Sequence, residues 1–199
     1  MKPRYRSQPA ALAGVVIFAL HGTALADSTT LSAQVASERE PDDLDELLNT
    51  IYKFGVDHAF DSGVYIDSTF EVEDPAEGGP DKQNLEGNVG YTHALSGPLS
   101  IAGSIGIGGR FTEEANFPYY VLRIGADLAI SDRWDWNVVT FRYRNAFDAA
   151  DDFETPRFTT KLTFRLDERN ALFGELYRNL NDEWESTATG IAGGYAFRF

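Results

Sequence analysis

There is no cysteine anywhere in the 199-residue chain. A disulfide framework, a thiolate metal site and a cysteine nucleophile are therefore excluded together. Histidine is scarce too, with three in all. His21 falls in an N-terminal apolar stretch, which leaves His58 and His93. Positive charge is short: 17 Lys and Arg stand against 31 Asp and Glu, a formal charge of −14. Nucleic-acid binding rests on clustered bases that neutralise phosphates, so no nucleic-acid partner is expected. Long apolar runs are also missing. Beyond residue 26 none approaches the roughly 18 residues that a helical span needs. Such a chain crosses a membrane only as a closed β-barrel, the other architecture that satisfies every backbone group in lipid.

What is present begins with an export pattern. Lys2, Arg4 and Arg6 form a basic lead, residues 10–20 a short apolar run, and Ala24-Leu25-Ala26 a small-residue cleavage site. Residues 1–26 therefore read as a secretory signal peptide, cleaved before Asp27. Loss of its three bases leaves a remainder more acidic still, and one domain's worth of chain.

From residue 63 onward the sequence breaks into eight segments of two-residue period separated by turn chemistry. In the first, Val64, Ile66, Ser68, Phe70 and Val72 oppose Tyr65, Asp67, Thr69, Glu71 and Glu73. Leu85, Val89, Tyr91 and Leu95 mark the second, and Leu99, Ile101, Ile105, Ile107 and Phe111 the third. Tyr120, Leu122, Ile124, Ala126, Leu128 and Ile130 mark the fourth, and the fifth covers 134–147. The sixth alternates Phe158, Thr160, Leu162, Phe164 and Leu166 with Arg157, Thr159, Lys161, Thr163 and Arg165. The seventh, 171–180, is ambiguous: Leu172, Leu176 and Leu180 share one face, but Phe173 and Tyr177 sit beside Glu175 on the other. The eighth, 187–199, ends in an aromatic stripe of Tyr195, Phe197 and Phe199 on one strand face.

Connections alternate short and long, with tight turns at 96–98, 131–133 and 167–170 and longer loops at 74–83, 112–118, 148–156 and 181–186. That rhythm is the one expected of membrane barrels with short periplasmic turns and longer surface loops. The polar faces are built from Gly, Ala, Ser and Thr with interspersed charges, which suits a narrow interior, and the apolar faces suit lipid. Aromatics near strand ends (Phe111, Tyr119, Tyr120, Trp134, Trp136 and Phe199) fit interfacial girdles.

From about residue 62 the chain resembles the small bacterial outer-membrane barrels grouped around the OmpA and OmpX folds, and its terminal stripe resembles the closing-strand signature read by the barrel-assembly machinery. The resemblance is one of architecture and carries over no functional residues. The fold class expected is all-β: an eight-stranded antiparallel up-and-down transmembrane β-barrel over 62–199, after a short N-terminal helical extension. The expected location is the bacterial outer membrane. Expected partners are outer-membrane lipid and lipopolysaccharide, with the assembly machinery engaging Tyr195, Phe197 and Phe199 during biogenesis.

The extension covers 27–61 and is expected on the periplasmic side. Pro41-Asp42-Asp43 reads as a helix start, and Leu44, Leu47, Leu48 and Ile51 follow at helical spacing, giving a helix over about 41–52. Residues 52–60 also alternate, through Phe54, Val56, His58 and Phe60. They either extend strand one through a kink at 61–63 or add a strand of their own, and the two readings stay open.

Catalytic inventory is thin: neither His58 nor His93 falls near the surface-loop end beside a serine, so the chain reads as a non-enzyme. No cofactor and no resident metal are expected. Inward positions carry Asp67, Glu71, Glu73 and Glu86 on strands one and two, then Arg110, Arg123, Arg142, Arg144, Arg157, Lys161 and Arg165 on strands three to six, and Glu175 on strand seven. In a closed ring of eight, strands one and two stand across from five and six, so acids face bases. Buried charges are tolerated when paired. The main reading is a lumen closed or nearly closed by salt bridges, in a protein with a structural or surface-interaction role. The alternatives are a narrow porin-like path for ions or small polar solutes and, third, an enzyme acting on lipid A or phospholipid acyl chains. The long loops hold Asp74, Glu77, Asp81, Glu113, Glu114, Asp148, Asp151, Asp152, Glu154, Asp182, Glu183 and Glu185 with Lys82 as the one base. Their carboxylates are candidate partners for Ca²⁺ or Mg²⁺.

Overall fold

A strand in lipid has to pair along both edges, because an unpaired N–H or C=O there has no water to turn to. The chain meets that demand by closing on itself. The computed structural model describes residues 26–151, 153 and 155–199. Ten antiparallel strands form one closed barrel: β1 (Ala26–Arg39), β2 (Leu47–Phe60), β3 (Val64–Pro75), β4 (Lys82–Ala94), β5 (Leu99–Phe111), β6 (Asn116–Ala129), β7 (Trp134–Ala146), β8 (Arg157–Arg165), β9 (Asn170–Leu180) and β10 (Ser186–Arg198). Neighbours in sequence are neighbours in the ring. β1 closes it against β10, from Thr30 opposite Arg198 to Arg39 opposite Thr189. The last backbone N–H, that of Phe199, donates to the Thr29 carbonyl at 2.9 Å.

The strand count is thus ten rather than eight, and no helix precedes the barrel among the described residues. Residues 27–61, expected as an extension with a helix over about 41–52, are β1, a loop at 40–46 and β2. Leu44, Leu47, Leu48 and Ile51 do fall at helical spacing. The same stretch also alternates by two, with Tyr52, Phe54 and Val56 outward and Ile51, Lys53 and Gly55 inward. In the closed ring the alternating period is the one realised: β2 pairs β3 along one edge and β1 along the other, and β1 in turn pairs β10. Residues 52–60 belong to a strand of their own. β1 has little hydrophobic contrast, Leu31, Ala33 and Val35 against Ser32, Gln34 and Ala36, and membrane strands signal weakly one at a time. The signal peptide expected at 1–26 lies outside the described residues, except that Ala26 opens β1.

The inside-out distribution of polarity follows the pleat. Ile124 is 62% exposed, whereas Glu86 is 1% exposed, the reverse of a water-soluble domain. Aromatics flank the outer belt. Tyr120 packs against Tyr143 and Phe147 with ring centroids 6.1 and 5.7 Å apart near the loop end, and Trp134 meets Phe164 at 4.6 Å near the turn end.

Ten strands leave more room inside than eight, and aromatic rings occupy it. Tyr65, Tyr119, Phe173 and Tyr177 point inward, each directly opposite a glycine on the next strand: Gly90, Gly108, Gly194 and Gly190. A Cβ on Gly190 would stand 2.0 Å from the Tyr177 ring, and one on Gly194 2.2 Å from Phe173. This close approach settles the facing of β9, whose sequence left Phe173 and Tyr177 undecided. Between β7 and β8 the described residues include a 3-10 turn, Ala149–Asp151, and Phe153, which is buried inside the barrel.

Candidate functional site

The inward face of β3 and β4 brings acids to the loop-side half of the lumen, and β5 to β7 bring arginines to meet them. Glu86 is the hub. Its carboxylate accepts Arg144 Nε at 2.8 Å, Asn88 Nδ2 at 3.1 Å and an Arg123 Nη. Arg144 also donates to Glu71 Oε1 at 3.4 Å, which Asn84 Nδ2 approaches at 3.2 Å. Arg123 reaches on to Asp67 at 3.1 Å. Nearer the rim, Arg110 pairs with Glu73 at 3.3 Å and donates to Asn84 Oδ1 at 3.2 Å. Arg144 therefore spans from β7 to both β3 and β4, bracing one wall against the other.

Above this brace sits the inward-folded loop. Phe153 is buried against Phe117 and Tyr119, with centroids 5.3 and 5.1 Å apart, and the Arg110 guanidinium lies 4.9 Å from its ring centroid. Two backbone bonds hold it down: Ala146 N–H donates to the Phe153 carbonyl at 3.2 Å, and Thr155 N–H to the Arg144 carbonyl at 3.0 Å.

A second cluster lies on the opposite side. Arg157 pairs with Glu38 at 3.1 Å and rests 4.0 Å over the Tyr177 ring. Glu38 also accepts Asn179 Nδ2 at 2.8 Å and Asn49 Nδ2 at 3.0 Å. Between the two clusters is Arg142. Cross-strand register puts it directly between Arg123 on β6 and Arg157 on β8. It is 7% exposed, and among the described residues it has neither an ion pair nor a hydrogen bond, its Nε included.

The remaining expected site residues are not brought together in this way. Lys161 and Glu175 are register partners without a direct ion pair among the described residues, and Lys161 Nζ instead lies 5.5 Å from the Phe173 ring centroid. Arg165 pairs with Asp135 at 2.6 Å at the turn end, where both are partly exposed. Tyr195, Phe197 and Phe199 lie along the outer face of β10, with Phe197 and Phe199 edge to face at 5.0 Å.

No protein-family model matches the chain, and no curated protein does either. Solved structures match along most of it. An outer-membrane channel from Pseudomonas putida F1 aligns over 88% of this chain and 96% of its own at 10% identity, with a TM-score of 0.53. The β domain of the Bordetella autotransporter BrkA aligns over 85% and 98% at 8% identity, with a TM-score of 0.51. The KdgM porin covers 84% and 99% at 12% identity, with a TM-score of 0.45. The fold is that of the bacterial outer-membrane β-barrels.

An outer-membrane location goes with that fold and with the barrel's apolar outer belt. The start of β1 and the end of β10 lie at the same end of the barrel as the tight turns, the end expected to be periplasmic, and the long loops, including 40–46 with Asp42, Asp43, Asp45 and Glu46, lie at the other. Sequence reasoning missed Glu38, Lys53 and Asp57, all on strands taken for an extension. The alternation through Phe54, Val56 and His58 was the signal for Lys53 and Asp57. Glu38 had none, because its strand reads as a polar lead. His58, on the outer face, bonds Thr29 Oγ1 at 2.8 Å near the periplasmic end. Among the described residues no three His, Asp or Glu side chains converge to hold a metal ion.

Proposed function

We propose that this barrel stands closed at rest and works as a structural and surface-interaction protein of the outer membrane rather than as an open pore. The observation that carries this reading is the brace from Arg144 to Glu71 and Glu86 beneath Phe153. Charges so deeply buried are held by mutual pairing, and removal of one partner leaves the other stranded. In planar bilayers the refolded wild type is expected to be silent, with a heat-modifiable gel shift confirming the folded barrel. Arg144→Ala/Glu86→Ala is expected to conduct. Steady wild-type conductance would overturn the closed reading.

A second reading, a narrow path for ions or small polar solutes, is favoured by Arg142. A buried guanidinium without an ion-pair or hydrogen-bond partner leaves positive potential in the lumen centre, and the charges below it keep contact with solvent. Wild-type conductance that Arg142→Gln alters would select this reading. Catalysis is the weakest alternative, since Glu71 and Glu86 are engaged by arginine and the Thr29–His58 bond lies on the outer face at the periplasmic end. Purified lipid A should leave incubation with the barrel unchanged in mass. The terminal stripe is proposed to serve recognition by the assembly machinery, so deletion of Phe199 is expected to slow membrane insertion in cells.

A further inference from the structure

The outer belt is almost free of basic charge, and its two arginines gather in one place. Register puts Arg39 on β1, Thr189 on β10 and Arg178 on β9 side by side on the outer face. Among the described strand residues these are the two bases on lipid-facing positions, both within three residues of a surface loop. Two inter-strand spacings separate them, about 10 Å. Arg39 is held in place by donating to the Leu44 carbonyl at 2.7 Å and to Ser37 Oγ at 3.1 Å. Arg178 is exposed and makes no ion pair or hydrogen bond among the described residues. An arginine on the lipid face is costly at mid-membrane and nearly free at headgroup height, and both stand at the loop ends of their strands.

Next to Arg178 the surface changes character. Trp184, from the loop joining β9 and β10, is the one described non-glycine residue with positive φ, at 64°. Such strain persists where the surroundings impose it. Here the loop is pinned by Asn181, whose side chain accepts the Glu185 N–H at 2.8 Å and whose carbonyl accepts the Trp184 N–H at 3.1 Å. The indole stacks on Phe141 at 6.0 Å with ring planes 12° apart and leans on Phe158 at 6.5 Å, yet it stays 59% exposed. Beside Phe158 the outer face has a shallow open groove lined by Val139, Phe158, Thr160, Leu176 and Arg178.

The geometry points to a docking site for a phosphorylated glycolipid of the outer leaflet. Arg39 and Arg178 would take its phosphates, Trp184 would offer an aromatic face to a sugar, and one acyl chain would lie in the groove. Guanidinium forks match phosphate oxygens, and an exposed indole beside them suits a sugar better than a bare glycerol headgroup. Asp182, Glu183 and Glu185 in the same loop and Asp45 and Glu46 in the neighbouring loop oppose an anion, so Mg²⁺ belongs in the assay. The inference is independent of whether the lumen conducts.

The test is native mass spectrometry of the refolded full chain in detergent with Mg²⁺ and one of three probes: bisphosphorylated lipid A, its dephosphorylated form, or phosphatidylglycerol. Wild type is expected to retain lipid A over both others. Arg39→Gln/Arg178→Gln should lose about tenfold in retention, as expected when charge-assisted hydrogen bonds to phosphate are removed. Trp184→Leu, a loop change that leaves the strands intact, should narrow the preference for lipid A over phosphatidylglycerol. Equal retention by wild type and the arginine variant, or equal binding of the dephosphorylated lipid, would overturn the site. Phosphatidylglycerol held as tightly as lipid A would overturn the glycolipid assignment. Should the arginine variant fail to fold, the Trp184→Leu preference decides.

Discussion

The two halves of the lumen are filled by different rules. Toward the loops, Glu38, Glu71, Asn84, Glu86, Tyr119, Arg142, Arg144, Arg157 and Tyr177 are all buried. Toward the periplasm, Asp57, Asp127, Asp135, Lys161, Arg165 and Glu175 all keep contact with solvent. Side-chain size contributes to the difference. The outer half holds three inward rings, Tyr119, Tyr177 and Phe153, packed among its arginines, while the periplasmic half holds two, Tyr65 and Phe173, and is otherwise lined largely by Ser32, Gly55, Gly125, Thr140, Thr163 and Ala171. Rings displace water, and a charge without water requires a partner. Small residues admit water, and a charge there can stand alone. One barrel thus carries a buried, braced plug above a more open vestibule.

That contrast can be broken most directly at its hub. Glu86→Ala strands Arg144 and Arg123 and is expected to cost about 3–5 kcal/mol, read from urea unfolding in lipid vesicles. Glu175→Ala in the vestibule should cost under about 1 kcal/mol. Equal losses would mean that the two halves are not different environments. The inside–outside contrast comes next. Ile124→Arg or Leu162→Arg on the lipid face should cost roughly 2–4 kcal/mol near mid-membrane. Thr163→Arg, one position along but facing the vestibule, should be milder; equal damage from all three would undo the facing.

Smaller effects test the packing of the plug itself. Gly190→Ala drives a methyl into Tyr177 and should cost about 1–3 kcal/mol. Gly193→Ala, on the outer face with nothing within 4 Å, should stay within about 0.5 kcal/mol of wild type. Indistinguishable melting temperatures would argue against a tightly filled outer half. The smallest effect belongs to a periplasmic turn. The Asp167 carboxylate accepts the Arg169 backbone N–H at 2.8 Å and is further held by Asn170, which keeps its pKa below the ordinary value. Its contribution is present above the usual carboxylate range and fades as pH falls through the lowered pKa. Asp167→Ala and wild type should therefore differ slightly in melting temperature at neutral pH and converge in acid. A gap that persists in acid would assign it to something other than ionisation.

Legibility in the sequence followed the strength of the local pattern. β8 alternates Phe158, Thr160, Leu162 and Phe164 with Arg157, Thr159, Lys161 and Thr163, and its facing could be read residue by residue. β2 carried two periods at once, and the helical one at Leu44, Leu47, Leu48 and Ile51 masked the other. β1 carried almost none, so Glu38 went unrecognised as the acid that holds Arg157. The residues of the charged cluster were visible as inward positions, but their partners were not. With eight strands Arg157 stands across from acids on the first two. With ten, it finds Glu38 on a strand that the sequence alone does not announce.

Local chemistry by itself determined that this chain forms membrane-crossing strands: two-residue alternation, turn residues between segments and the lack of any long apolar run leave no other way through a bilayer. Those are properties of single segments, and a segment expresses them before it meets its neighbours. The number of strands, the choice of ion partners, the isolation of Arg142 and the gathering of Arg39, Arg178 and Trp184 on one patch were decided only by the closed ring. Closure is a condition on all edges together. The ring takes in the weakly patterned β1 and β2 with both of their edges paired, and each added strand changed which side chains stand across the lumen from one another.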